Sequence, residues 1–225
     1  LKGGLGKTLM ERIVENKPDA VTLLRVQYRM NEQIMRFSSD WFYGGQVESA
    51  PQIKYRGILD YDTPMMWTDT SEMDCKEEFV GESFGRINKT EAELTLSKLQ
   101  EYFIKIGKER ILGESIDVGV ISPYRAQVQY LRNLIKKREF FKPYRRLVSV
   151  NTVDGFQGQE RDIILISLVR ANDGGQIGFL SDLRRMNVAI TRARMKLIIL
   201  GDATTMTRHP FYKKLYEYIK EINNA

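Results

Sequence analysis

Four short, almost continuously apolar segments constrain the fold more than any other feature of this sequence. They are residues 118–121, 147–150, 163–169 and 197–200. Strands that are buried on both faces have this pattern, whereas strands with one solvated face alternate apolar and polar residues. Helical patterns lie between the segments. We therefore predict an α/β fold, a single domain with a mostly parallel sheet and helices on both of its faces.

The predicted helices have recognisable ends. Asn31 is suited to cap a helix with apolar residues at helical spacing, and Asn88 to cap a longer one. Glu91 stands where the acidic member of a capping box is expected. Ser122 and Pro123 offer an N-cap and a first-turn proline for another helix. We predict a short strand at 65–68 and an exposed acidic loop over residues 69–84.

Composition limits the class of protein. The 225 residues are 42% hydrophobic and 28% charged, which is typical of a globular domain rather than a disordered chain or a coiled coil. One cysteine and one histidine leave no disulfide and no Cys/His zinc site, so we expect no metal ligand set and a reducing, cytoplasmic location. No apolar run approaches the roughly 20 residues that cross a bilayer, so we expect no membrane partner. The net charge of +6 weakly favours an anionic partner.

The glycine-rich start imitates a phosphate-binding loop. Gly6, Lys7 and Thr8 match the end of that motif, but Leu1 stands where its first glycine is required. We therefore interpret this segment as the start of a helix. Because the sequence opens on Leu1 inside a helical pattern, we also expect it to be a piece of a longer protein.

Four polar segments adjoin the predicted strands, at 27–30, 122–127, 151–160 and 184–194. Since the carboxyl ends of parallel strands are where ligands bind, we expect all four to meet at that edge of the sheet. Taken singly, each has an ordinary explanation as a surface pair, a helix cap, a turn or a solvated face.

Taken together and in this order, the segments resemble the second half of superfamily 1 helicases, most closely the group that contains the RNA helicase of nonsense-mediated decay. The matching motifs are VQYRM at 26–30, SPYRAQ at 122–127, VDGFQGQERD at 153–162, VRAN at 169–172 and RRMNVAITRAR at 184–194. The resemblance implies that residues 19–225 form a second RecA-like domain. It also implies that residues 1–18 are the helix that connects it to a first RecA-like domain, which would hold most of the ATP and its Mg²⁺.

The resemblance implies a nucleotide-facing group of residues. Arg192 matches the arginine finger, and Arg29 a second arginine that contacts phosphate. Tyr28 would flank the nucleotide, Gly158 would let the backbone approach it, and Glu160 would bind its ribose. A forked guanidinium suits phosphate better than the point charge of lysine does.

The resemblance also implies a nucleic-acid-facing group on the opposite rim. Ser122, Tyr124 and Thr152 match positions that contact the sugar-phosphate backbone of single-stranded DNA or RNA. Such contacts would not read sequence. The basic run over 136–146 is at least as well explained as a solvated surface.

The sequence thus predicts the C-terminal motor domain of an ATP-dependent helicase. We expect this chain alone to be inactive, because it contains neither a complete phosphate loop nor the Asp-Glu pair that holds magnesium. Two alternatives stay open: a RecA-like module that binds nucleic acid or protein without turnover, and a small-molecule phosphotransferase built on Gly6, Lys7 and Thr8.

Overall fold

The computed structural model describes residues 26–27, 30–45, 47–49, 51, 57–81 and 85–224. The strands are β1 (Val26–Gln27), β2 (Glu48–Ser49), β3 (Met65–Asp69), β4 (Glu78–Val80), β5 (Gly85–Ile87), β6 (Val118–Ile121), β7 (Val148–Asn151), β8 (Arg161–Ser167) and β9 (Ala193–Gly201). The α-helices are α1 (Glu32–Phe42), α2 (Lys89–Ile106), α3 (Lys108–Gly113), α4 (Arg125–Lys137), α5 (Leu183–Ile190), α6 (Ala203–Met206) and α7 (Pro210–Asn223). Three 3₁₀ turns cover Glu139–Tyr144, Val153–Phe156 and Gly178–Ser181.

The predicted connecting helix, the segment that imitates a phosphate loop, Tyr28 and Arg29 lie outside the described residues. The proposed roles of these segments and side chains therefore stay predictions.

A five-stranded sheet with the order β3, β9, β8, β6, β7 forms the centre of the domain. Every neighbouring pair in it is parallel. The predicted parallel α/β architecture and the short strand near residue 65 are therefore confirmed. In the part of the chain that the structure describes, no helix is long and apolar enough to cross a bilayer.

Both faces of the sheet are buried, as the apolar strands predict. Ile164 and Ile166 of β8 pack into a core with residues of α1, α5 and α7. Ile163 and Leu165 point the other way, into a second core with residues of α2 and α4. Because successive side chains of a strand point to opposite faces, one apolar run supplies both cores.

Strand β9 begins earlier than the apolar pattern predicts, since it includes Arg194 and Lys196. Lys196 is only 1% exposed, and its Nζ lies 3.0 Å from both carboxylate oxygens of Asp62. It also donates to the Thr63 carbonyl at 2.7 Å. Charged residues with such partners can lie in a buried strand, which a hydrophobicity pattern alone does not reveal.

Asn88 caps α2 as predicted, because its side chain accepts a hydrogen bond from the Glu91 amide at 3.1 Å. The predicted capping box is wrong in its second half. The backbone N–H of Asn88 donates to Gln127 Oε1 at 3.0 Å, so the Glu91 carboxylate does not accept a hydrogen bond from it. Glu91 turns instead towards the end of β8. A tertiary contact has replaced the local one.

The predicted start of α4 is also wrong. Ser122 is neither an N-cap nor adjacent to the first turn, since the helix begins at Arg125 after Tyr124, with no side-chain cap bond. The Ser122 amide donates to the Asn151 carbonyl at 3.3 Å, which continues the pairing of β6 with β7. The pairing of the two strands therefore continues to the residue that was expected to cap the helix.

Residues 69–84 are not simply an exposed loop. Within the described part of this range, Thr70 and Cys75 are buried, and β4 forms an antiparallel hairpin with β5. Phe79 on β4 lies 3.4 Å from the Arg86 guanidinium on β5. The acidic composition therefore led to a wrong prediction for the buried and paired parts of this segment.

The link between β7 and β8 crosses the sheet from its carboxyl edge to its amino edge. Within this link, residues 152–160, Phe156 is 1% exposed and packs over Gly119 of β6. A Cβ on Gly119 would lie 2.9 Å from the Phe156 ring and 2.7 Å from Ile164 Cδ1. Glycine is required there because the link approaches the sheet so closely.

Candidate functional site

The predicted site residues that the structure describes lie at two opposite edges of the sheet. Ser122 and Thr152 directly follow β6 and β7, at the carboxyl edge. Glu160 and Arg192 directly precede β8 and β9, at the amino edge. The expectation that all the polar segments meet at the carboxyl edge is therefore wrong for Gly158, Glu160 and Arg192. The crossing link and the turn after α5 carry these residues back to the start of the next strand, about 20 Å away along β8.

Arg192 and Glu160 stand side by side at the amino edge. The Arg161 amide donates to the Arg192 carbonyl at 2.9 Å, which joins the starts of the two strands. Arg192 is 7% exposed, with Nε donating to the Val188 carbonyl at 3.2 Å and Nη1 to the Phe156 carbonyl at 3.5 Å. Backbone acceptors from α5 and from the crossing link thus orient this guanidinium.

Glu160 lies beside a network of ion pairs centred on Arg194. Arg194 Nη1 lies 3.3 Å from Asp117 Oδ1 and 3.2 Å from Asp162 Oδ1, and Nη2 lies 3.9 Å from Glu160 Oε1. The Asp162 amide donates to Asp117 Oδ1 at 2.7 Å. Burial, reinforced by the charge of Asp117, raises the pKa of Asp162. Arg194 lies inside a motif that the sequence singled out, but no role was predicted for it.

A cavity of about 530 Å³ opens at the carboxyl edge, beside the ends of β6 and β7. Its polar rim includes Arg125, Thr152, Asp154 and Arg185. Asp154 forms an ion pair with Arg185. The cavity therefore combines an apolar interior with a charged entrance, which is typical of ligand sites.

The three predicted nucleic-acid residues differ in how accessible they are. Ser122 is fully buried, and its Oγ has no hydrogen-bond partner among the residues that the structure describes. Tyr124 lines the cavity but is 3% exposed, and its hydroxyl accepts a hydrogen bond from Arg170 at 3.1 Å. Thr152 lines the cavity and is partly exposed. The contact role of all three stays a prediction.

Arg170 ties the cavity wall to the β4–β5 hairpin. Its Nε donates to Glu77 Oε2 at 3.0 Å, and the same oxygen accepts from Arg86 Nε at 3.0 Å. Gly178 has φ +53°, and a Cβ there would lie 2.6 Å from the Tyr124 hydroxyl and 2.2 Å from Arg170 Nη1. Sequence reasoning missed Glu77, because its partner Arg170 lies 93 positions away along the chain.

Glu91 holds residues that directly precede Arg170 in the chain. It is fully buried, and its Oε1 accepts hydrogen bonds from Ser167 Oγ at 2.6 Å and from the Val169 amide at 2.7 Å. Val169 has φ +70°, which is strained for a β-branched residue and needs such support. Burial raises the pKa of Glu91 to about 7.

The side chains of the basic run are mostly exposed, which is compatible with both a solvated surface and a nucleic-acid contact. Lys136, Lys137, Lys142 and Arg146 are exposed, whereas Arg138 pairs with Glu93 at 2.6 Å. In the described ranges no group of three or more histidine, cysteine, aspartate or glutamate side chains could hold a metal ion.

Comparisons with known proteins agree with the sequence motifs. A family whose description is AAA domain matches residues 5–204. The chain is 35% identical, over 97% of its length and 32% of the relative's, to an uncharacterised ATP-dependent helicase of Methanocaldococcus jannaschii. It is 36% identical, over 98% of its length and 20% of the relative's, to the regulator of nonsense transcripts 1 homolog of Neurospora crassa.

A third relative is the DNA polymerase alpha-associated DNA helicase A of Saccharomyces cerevisiae, with 35% identity over 96% of this chain and 33% of that protein. The chain therefore spans between 20% and 33% of the length of these three relatives.

Proposed function

The chain belongs to the AAA domain family and is the second RecA-like domain of a superfamily 1 helicase, and from this premise we propose that it is one half of an ATP-driven motor on single-stranded DNA or RNA. The other half is a first RecA-like domain, which holds most of the ATP and its Mg²⁺. One observation carries the proposal. The motif residues that match a nucleotide site and those that match a nucleic-acid site lie at opposite edges of the same sheet.

At the amino edge, Arg192 supplies positive charge to the transferring phosphoryl group. Negative charge grows on that group's oxygens in the transition state, so a preoriented guanidinium stabilises the transition state more than it stabilises bound ATP. The carbonyls of Val188 and Phe156 hold the side chain in position. Arg29 is a second phosphate contact and Tyr28 flanks the nucleotide.

Glu160 and Gly158 complete the nucleotide side. The Glu160 carboxylate accepts hydrogen bonds from the ribose hydroxyls, and Arg194 orients it from 3.9 Å. Gly158 has φ +73°, and apart from its chain neighbours no atom of the described residues lies within 4 Å of the position its Cβ would take. The backbone is therefore open to close approach by an anion.

At the carboxyl edge, the single strand crosses the ends of β6 and β7. Thr152 and Tyr124 face it across the cavity, with Ser122 behind them. Hydroxyl groups and backbone amides bind phosphates without reading bases, so this grip tolerates any sequence.

The crossing link connects the two edges. Thr152 begins it at the nucleic-acid side, and the carbonyl of Phe156 within it accepts a hydrogen bond from Arg192 at 3.5 Å. A change in the position of Arg192 on hydrolysis would therefore move the segment that contacts the strand.

Arg192→Ala in the full-length helicase tests the proposal. We expect kcat for ATP hydrolysis to fall by about 100-fold or more while the Kd for nucleotide changes little, because the lost interaction forms mainly in the transition state. Arg192→Lys should not restore the rate, since lysine lacks the planar fork. Arg145→Ala is the matched control, because Arg145 is exposed and donates only to the Lys136 carbonyl in the described contacts.

A stable Arg192→Ala variant that still binds single strands and hydrolyses ATP at the parent rate would show that the finger assignment is wrong. The purified 225-residue chain should fold but not hydrolyse ATP with or without single strands. Hydrolysis by the chain alone would favour the phosphotransferase alternative. Strand binding with an ATPase-inactive full-length protein would favour the non-enzymatic one.

A further inference from the structure

Phe179 is a large aromatic side chain left 56% exposed at the mouth of the carboxyl-edge cavity. We propose that Phe179 is a base-stacking residue, and that the cavity beside it receives a nucleobase of the single strand. The inference rests on the proposed function, because it assumes that a single strand crosses this edge. It adds a contact with a base of the nucleic acid, made by a residue for which the motifs predicted no role.

The ring of Phe179 has rigid backing. Its centroid lies 5.1 Å from that of Tyr124, with an angle of 33° between the planes. Tyr124 is itself held by its hydrogen bond to the buried Arg170. A strand that approaches this edge therefore meets Phe179 before Tyr124. The contact with Tyr124 restricts the Phe179 ring, which lowers the entropic cost of stacking a base on its exposed face.

The cavity beside the Phe179 ring provides apolar walls for a base and a positive charge for its phosphate. Its interior is apolar, with Ile121, Ile166 and Met186 in its walls. No ion pair involves Arg125 among the described residues, and this exposed guanidinium stands at the entrance, where it can meet a phosphate.

The two carboxylates at the entrance are already engaged. Asp154 pairs with Arg185, and Asp182 caps α5 by accepting a hydrogen bond from the Arg185 amide at 3.3 Å. Their charges therefore oppose an approaching phosphate less than isolated carboxylates would. A planar base followed by a phosphate matches an aromatic face beside a cation.

The test compares two strands of equal length on the full-length helicase. One is a fluorescein-labelled oligonucleotide of mixed sequence, and the other has the same backbone with abasic sites throughout. For Phe179→Ala we expect the Kd for the strand with bases to rise roughly 5- to 100-fold, as the loss of one stacked base predicts. The Kd for the abasic strand should not change, because it has nothing to stack.

Three further variants test whether aromatic stacking, rather than apolar contact alone, causes the change in affinity. Phe179→Trp should keep the affinity, since indole also stacks, and Phe179→Leu should lose it while keeping an apolar side chain. Ile104→Ala is the matched control, because Ile104 is 64% exposed on α2 and does not line the cavity. Melting temperatures of all variants identify any loss of fold, and Phe179→Leu replaces Phe179→Ala if the latter unfolds.

The outcomes separate the two proposals. An unchanged Kd in Phe179→Ala, or an equal loss for both strands, overturns base stacking but leaves single-strand binding intact. Phe179→Leu with parental affinity overturns it as well, because apolar contact would then suffice. Wild type that binds neither strand overturns both this inference and the proposed grip on single strands.

Discussion

Glu91→Gln is expected to remove a pH dependence of stability that arises from a single buried carboxyl group. Glu91 is fully buried, and its Oε2 has no hydrogen-bond partner within the described part of the chain. Burial raises its pKa from the ordinary 4.5 to about 7 in the folded state. The hydrogen bonds from Ser167 and Val169 favour the ionised form, but they only partly offset this effect.

The direction and size of this pH dependence follow from the difference between the folded and unfolded pKa values of Glu91. Between pH 4.5 and 7 the folded state holds a proton on Glu91 that the unfolded chain has lost, so stability falls as pH rises. The contribution is fully present below pH 4.5 and lost above the folded pKa of about 7. Each unit of pKa shift corresponds to about 1.4 kcal/mol, so the free energy of unfolding should lose about 2 to 3 kcal/mol between about pH 5 and 8 from this group.

The assay is urea unfolding of wild type and Glu91→Gln at several pH values in this range. Other carboxylates titrate in both proteins, so the informative quantity is the difference in unfolding free energy between them. Glutamine preserves the shape and the Oε1 acceptor but cannot ionise. We expect the difference to shift in favour of the variant as pH rises.

Glu101→Gln is the matched control, because Glu101 lies on the same helix and forms only exposed pairs with Lys98 and Lys105 in the described contacts. Its difference from wild type should stay nearly constant with pH. A Glu91→Gln difference that is equally flat would refute the reasoning, since it would show that Glu91 has the same pKa in the folded and unfolded states.

Three other perturbations test the packing, the α2 cap and the charge of the domain. Gly119→Ala should destabilise by about 1 to 3 kcal/mol in urea unfolding, because its Cβ would overlap the buried Phe156 and Ile164 side chains, and an unchanged midpoint would contradict the close approach of the link. Asn88→Ala should cost about 3 kcal/mol, since it removes the α2 cap and two donations to buried carbonyls, whereas a loss below about 1 kcal/mol would mean that water replaces them. Affinity for single strands, measured by anisotropy, should fall about 10-fold between roughly 50 and 200 mM salt with little preference for base order, and a flat response would exclude phosphate contacts.

The fold class could be read from the sequence because its signals are local. Continuous apolar strands, helical spacing between them and the caps at Asn31 and Asn88 each depend on neighbouring residues, and the structure confirms all of them. The motifs also identified the family, because their residues and their order along the chain can be read directly from the sequence.

The partners of the buried polar groups could not be read in this way. Glu91 bonds to residues 76 and 78 positions away, and Arg170 bonds to Tyr124 46 positions away. A local rule predicted a capping box for Glu91, but its hydrogen-bond donors come from the end of a distant strand. Phe179 stands out only because folding leaves it exposed beside Tyr124.

The sequence by itself determined that this chain forms a parallel α/β domain with helicase motifs. Only the tertiary structure decided at which edge of the sheet each motif lies. The apolar pattern locates each strand, but whether the next segment stays at the same edge or crosses back depends on close packing such as that of Phe156 over Gly119. That packing is a contact between residues distant in the sequence, and it separates Arg192 and Glu160 from Thr152 and Tyr124.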